Sequence, residues 1–100
     1  MKSLPSGWFT ASPEEAKRLL QELKLELTEA HQLHGLPLEL VAHRDGATDD
    51  ILVRNSEQPE VYYVVHLTWR MGPEIDGDHP SIECAGSYGD FLAYERNFGT

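Results

Sequence analysis

The chain has a single cysteine, few basic residues and no long apolar run. Each shortage excludes something. Cys84 has no second cysteine to pair with, so no intramolecular disulfide forms, which suits a reducing compartment. No apolar stretch approaches the roughly 20 residues of a membrane helix. The opening residues, MKSLPSGWFT, hold one lysine and no apolar segment of signal-peptide length, so cytoplasmic residence is the expectation. Eight Lys and Arg stand against 17 Asp and Glu, a formal net charge of -9. That field repels phosphate backbones and anionic lipid, which sets nucleic acid and membrane aside and favours a basic protein as partner. Solubility alone is the plainer use of the same charge. Internal repeats, low-complexity tracts, linkers and complete catalytic or cofactor motifs are also lacking.

What is present is built around Val61 to Trp69, VYYVVHLTW. β-branched and aromatic residues dominate it and turn residues bound it, so it predicts a buried strand. At 100 residues, the chain has material for one core. Residues 1–11 read as an irregular arm whose Trp8 and Phe9 dock on the domain. Ser12-Pro13-Glu14-Glu15 is a helix start, with Ser12 as cap and Glu15 closing a capping box. Ala16, Leu19, Leu20, Leu23, Leu27, Ala30 and His34 fall at three- and four-residue steps, which predicts one long helix over 12–34, ended by Gly35 and Pro37. Glu22 and Glu26 fall on its charged face.

Residues 36–69 predict a three-strand antiparallel meander. Leu38, Leu40 and Ala42 alternate with Glu39, Val41 and His43 in the first strand. Ile51 to Arg54 is the second, and Val61 to Trp69 the third. Residues 70–86 hold an acidic loop and a possible fourth strand at Ile82 to Ala85, which would make the third strand interior. Ser87 and Asp90 form a second capping signature. It opens a short helix over 87–98, whose aromatic face is Phe91, Leu92, Tyr94 and Phe98. The fold class is therefore α+β: a long N-terminal helix packed on a three- or four-stranded antiparallel meander, with a short C-terminal helix.

Alternation splits the central strand into two sets. Val61, Tyr63, Val65, Leu67 and Trp69 are assigned to the core beneath the long helix. Tyr62, Val64, His66 and Thr68 face the other way. His66 is the group there most easily tuned near neutral pH, as a base or a ligand contact, with Tyr62, Thr68, His43 and Arg54 as companions. Its plainer reading is a half-buried histidine hydrogen-bonded to a neighbouring strand or loop. Glu74, Asp76 and Asp78 form a second candidate surface, for contact with a basic partner. The frame of that loop fails the calcium pattern, because the twelfth position from Asp76 is Ser87. His31 and His34 match no zinc signature, and no metal or other cofactor is expected. Cys84 reads as a small buried apolar side chain. Asp49-Asp50, just before a strand, reads as a cap or surface charge. Ser87-Tyr88 lies between Gly86 and Gly89 without the strand–loop–helix pattern of a phosphate loop.

The strings AHRDGATDDILV, YYVVHLTW and SYGDFLAYE resemble a group of small uncharacterised bacterial proteins. These share a Glu- and Leu-rich helix, a DD-ILV strand and a VVHLTW strand. The resemblance spans roughly Ser12 to Glu95 and is most specific at Val65 to Trp69. It implies a bacterial source and brings no activity, so no catalytic residue is carried over. In size and charge the chain is also similar to toxin-immunity proteins. The expected function is non-enzymatic, a protein-binding or immunity-type module. The alternatives are a small-ligand domain or enzyme using the face around His66, and a homodimer built through a sheet face or edge.

Overall fold

A computed structural model describes residues 4, 7–29, 31–44, 50–67 and 81–98. They form an α+β fold, one antiparallel sheet with a helix on each face. The strands are Trp8–Thr10 (β1), Leu38–Arg44 (β2), Asp50–Asn55 (β3), Gln58–His66 (β4) and Ser81–Gly86 (β5). The helices are Pro13–Glu26 (α1) and Tyr88–Phe98 (α2). Spatial order follows chain order, β1-β2-β3-β4-β5, so the sheet is a five-stranded meander.

Several sequence expectations need correction. The arm is not irregular throughout, because Trp8, Phe9 and Thr10 pair with Arg44, His43 and Ala42 as an edge strand. The sheet accordingly has five strands, not three or four. The N-terminal helix is also shorter than predicted. Ser12 and Glu15 form the expected capping box, each side chain accepting the other's backbone N–H at 3.2 Å. The helix then ends at Glu26, where Leu27 turns extended while its N–H still donates to the Leu23 carbonyl. Its 14 residues span about 21 Å.

The helical period misleads beyond Glu26 because core-facing residues continue through turns. Leu27, Leu33 and Leu36 all reach the same core. Three-residue-step turns follow α1, with N–H to carbonyl bonds from His31 to Thr28, His34 to His31 and Leu36 to Leu33. His31 is buried, and its Nδ1 accepts the Leu33 N–H at 3.0 Å. Glu22 and Glu26 are buried rather than solvated.

Each face of the sheet has its own core. Beneath α1, Leu19, Leu23 and Leu33 pack with Ile51, Val53, Val65 and Leu67, and Tyr63 joins at the margin. Tyr63, Val65 and Leu67 belong to the odd-numbered set of the central strand; Val61 is half-buried outside this cluster, and Trp69 lies outside the described residues. Beneath α2, Trp8, Ala42, Leu52, Tyr62, Val64 and Phe91 form the second cluster. Phe91 meets Trp8 edge-on, with ring centroids 5.2 Å apart. α2 begins on the predicted cap: the Asp90 N–H donates to Ser87 Oγ at 3.1 Å and the Ser87 N–H to Asp90 Oδ2 at 2.9 Å. Leu92 of this helix is exposed, and the Phe98 side chain lies outside the described residues.

A bulge in β2 controls what reaches the second face. Pairing with β3 shifts register between Leu40 and Ala42. Leu38 and Leu40 pack beneath α1, whereas Val41 and Ala42 pack beneath α2. The extra residue thus reverses the alternation, as bulges do. Arg44 is thereby delivered to the α2 face, beside Asp50 and over the Trp8 ring.

Candidate functional site

Asp50, Arg44 and Glu95 form a largely buried charged chain at one end of the α2 face, and His66 terminates it. β3 and β4 place Asp50 opposite His66. His66 Nδ1 lies 2.7 Å from Asp50 Oδ1. Arg44 Nε donates to Asp50 Oδ2 at 3.0 Å. The far edge of the same guanidinium forks onto Glu95, at 3.0 Å from Nη1 and 2.6 Å from Nη2. Its carbon sits 4.7 Å from the centre of the Trp8 ring. Four elements and the β1 edge therefore converge on four side chains.

Burial grades along the chain. The side chains of Asp50, Glu95 and Arg44 are 6%, 8% and 11% exposed, and that of His66 is 44% exposed. Burial works against the Arg44 charge, but bonding to Glu95 and Asp50 outweighs it and raises the guanidinium above its ordinary value. Tyr94 stands by the same groups. Burial, then the charges of Asp50 and Glu83, push its phenol upward and keep it neutral.

A carboxylate only accepts hydrogen bonds, so the contact with Asp50 calls for a proton on His66 Nδ1. In the neutral ring Nε2 then carries the lone pair, and it has no hydrogen-bond partner among the described residues. An imidazole held this way can accept a proton, or a hydrogen bond from a donor that approaches from solvent.

The residues singled out from sequence are dispersed. Tyr62 shares the face with His66 but lies four residues, about 13 Å, along β4. Arg54 is Tyr62's neighbour at that far end and is paired with Glu39. Bonding to Glu39, then to Tyr62, raises its pKa. His43 does not join His66. The β2 bulge turns it to the α1 side, where it stands 3.8 Å from Glu15 and near the Phe9 ring. Thr68, Glu74, Asp76 and Asp78 lie outside the described residues. The flanks of the acidic stretch are described: Leu67 follows His66 directly, and Ser81 pairs with His66 across the strands.

Sequence reasoning reached His66 but missed Asp50, Arg44, Glu95 and Trp8. The signal for Asp50 was the Asp49-Asp50 pair before a strand, which looks like a cap. The other three come from separate elements, and nothing local announces them. Cys84 lies on the covered face. Burial, then the charges of Asp90 and Glu95, push its thiol upward and away from nucleophilic use. His31 and His34 are in turns, not on a helix, and no group of three or more potential metal ligands occurs among the described residues.

No family model matches the chain, and no curated protein or solved structure matches it. The chemistry of the site is therefore read from its own geometry.

Proposed function

We propose that the protein is a non-enzymatic, cytoplasmic protein-binding module of the immunity type, which engages a basic protein at the sheet end marked by His66. The observation that carries this reading is topological. β4 ends at His66 and β5 begins opposite it at Ser81, and the acidic residues Glu74, Asp76 and Asp78 fall between these two positions in the sequence. The described chain on either side of that segment, Leu67 and Ser81, therefore lies beside His66. The middle of the same face is filled by Phe91, and at the Asp50 end the His66 side chain stays partly exposed. Charge complementarity there would act mainly on association rate and specificity.

The test is an affinity capture from native lysate, comparing wild type with a Glu74→Lys, Asp76→Lys, Asp78→Lys variant at low and high salt. A basic protein held by the wild type at low salt, and released by high salt or by the charge reversals, is the expected result. Equal retention by the variant, or no retained protein, contradicts the reading.

A second reading is favoured by the 2.7 Å contact between His66 and Asp50, which orients the imidazole as a base would need. It makes the protein a small-ligand domain or enzyme acting through His66. Tyr62 and Arg54 are too far along the strand to share one small ligand with it, so this version rests on His66 and its buried support. A small molecule that co-purifies with the wild type but not with a His66→Phe variant would favour it over the first.

A further inference from the structure

We infer that His66 is a dedicated acceptor for a cationic N–H donor, an arginine side chain of the basic partner, and that Asp50 acts as its positioning residue. This rests on the binding reading and specifies the group recognised. Three observations carry it. Nδ1 is committed to Asp50, so in the neutral ring of this partly exposed side chain Nε2 offers a lone pair and no proton. The supporting chain holds two carboxylates, Asp50 and Glu95, against the single guanidinium of Arg44 while the imidazole is neutral. Counting these four side chains, the acceptor adjoins one net negative charge, which attracts a cation. The geometry is also rigid, because Arg44 is bonded along both edges and stacked on Trp8. An acceptor locked in place loses little freedom on binding.

Asp50→Asn separates this role from mere packing. Arg44 Nε continues to need an acceptor and takes the amide oxygen. The amide nitrogen is left facing His66 Nδ1, which must now accept, and the imidazole proton moves to Nε2. The ring stays while its acceptor is lost.

The experiment is a nuclear magnetic resonance titration of the protein, labelled at histidine nitrogen, with a short capped oligo-arginine peptide. A capped Gly-Ser peptide is the uncharged control. In the free protein, at a pH that keeps the imidazole neutral, His66 should show the Nδ1–H tautomer. The arginine peptide should shift the His66 Nε2 resonance saturably, and the control should not. His66→Phe and Asp50→Asn should each weaken binding by about tenfold or more, the scale of a hydrogen bond to a charged group. An Nε2–H tautomer in the free wild type overturns the inference without any variant. So does peptide binding that leaves His66 unmoved, or that Asp50→Asn does not weaken. Failure here with a salt-sensitive partner still captured removes only the role of His66. Success here with no captured partner removes the binding reading instead.

Discussion

Phe91 is the largest fully buried side chain among the described residues, and it joins α2 to the sheet. Its ring lies edge-on to Trp8 and 5.4 Å from Tyr88. Truncation removes those contacts and leaves a void that the flanking strands cannot collapse to fill. Phe91→Ala should therefore cost about 3–5 kcal/mol in urea unfolding. Leu92→Ala, one position on but exposed, should stay within about 1 kcal/mol. Similar costs for the two would mean that α2 does not dock through Phe91. The same residue scale shows why the charged chain is expensive to disturb. Removing Arg44 would strand Asp50 and Glu95 as nearly buried carboxylates, whereas His66 faces solvent on one side and tolerates change more readily.

Each of the two helices begins on a reciprocal cap, and that of α1 is tied to pH. Glu15 is held below its ordinary value of 4.5 by the backbone N–H of Ser12, then by the Ser12 side chain, with a smaller contribution from His43. A carboxyl depressed on folding stabilises the native state above its unfolded pKa, and that stability is lost as pH falls through the folded value. Glu15→Gln should therefore leave an acid-unfolding curve less steep below about pH 4.5. An unchanged acid limb would show that the capping carboxylate does not report on folding. Elements of this kind are legible in sequence, because a cap is local. So is the division of the central strand, because a period of two survives wherever both faces are covered. The end of α1 is not legible, since Leu27, Leu33 and Leu36 maintain apolar spacing after the helix has stopped. A three-residue edge strand such as β1 offers too few positions to show a period. The β2 bulge is hidden for a deeper reason. One extra residue reverses the side of everything after it, sending His43 to α1 and Arg44 to Asp50, and that choice is made by pairing across strands. His66 could be named from its strand, but its support could not, because the four side chains meet only after four elements have assembled.

For the molecule as a whole, charge decides the response to salt, and two responses of opposite sign are expected. Arg44 is consumed by Asp50 and Glu95, and Arg54 by Glu39. Glu14, Glu29, Glu57, Glu60 and Glu83 remain exposed. A net charge of -9 on a chain of this size repels itself more strongly when folded than when expanded. Screening should relieve that repulsion. It also weakens exposed pairs such as Arg54 with Glu39, but each of these is worth no more than about 1 kcal/mol, and the uncompensated surplus outweighs them. Sodium chloride should therefore raise the melting temperature, by about 4–8 °C for each kcal/mol of repulsion relieved in a domain of this size. Scanning calorimetry from low to about 0.5 M salt checks it, in chloride so that ion exclusion adds little. A melting temperature that falls would mean that internal ion pairs dominate the electrostatics of the fold. The same salt should release a basic partner, since attraction between opposite charges is screened equally well. If the fold strengthens while the complex weakens, loss of capture at high salt is an effect on the contact between partners and not on the integrity of the binding module.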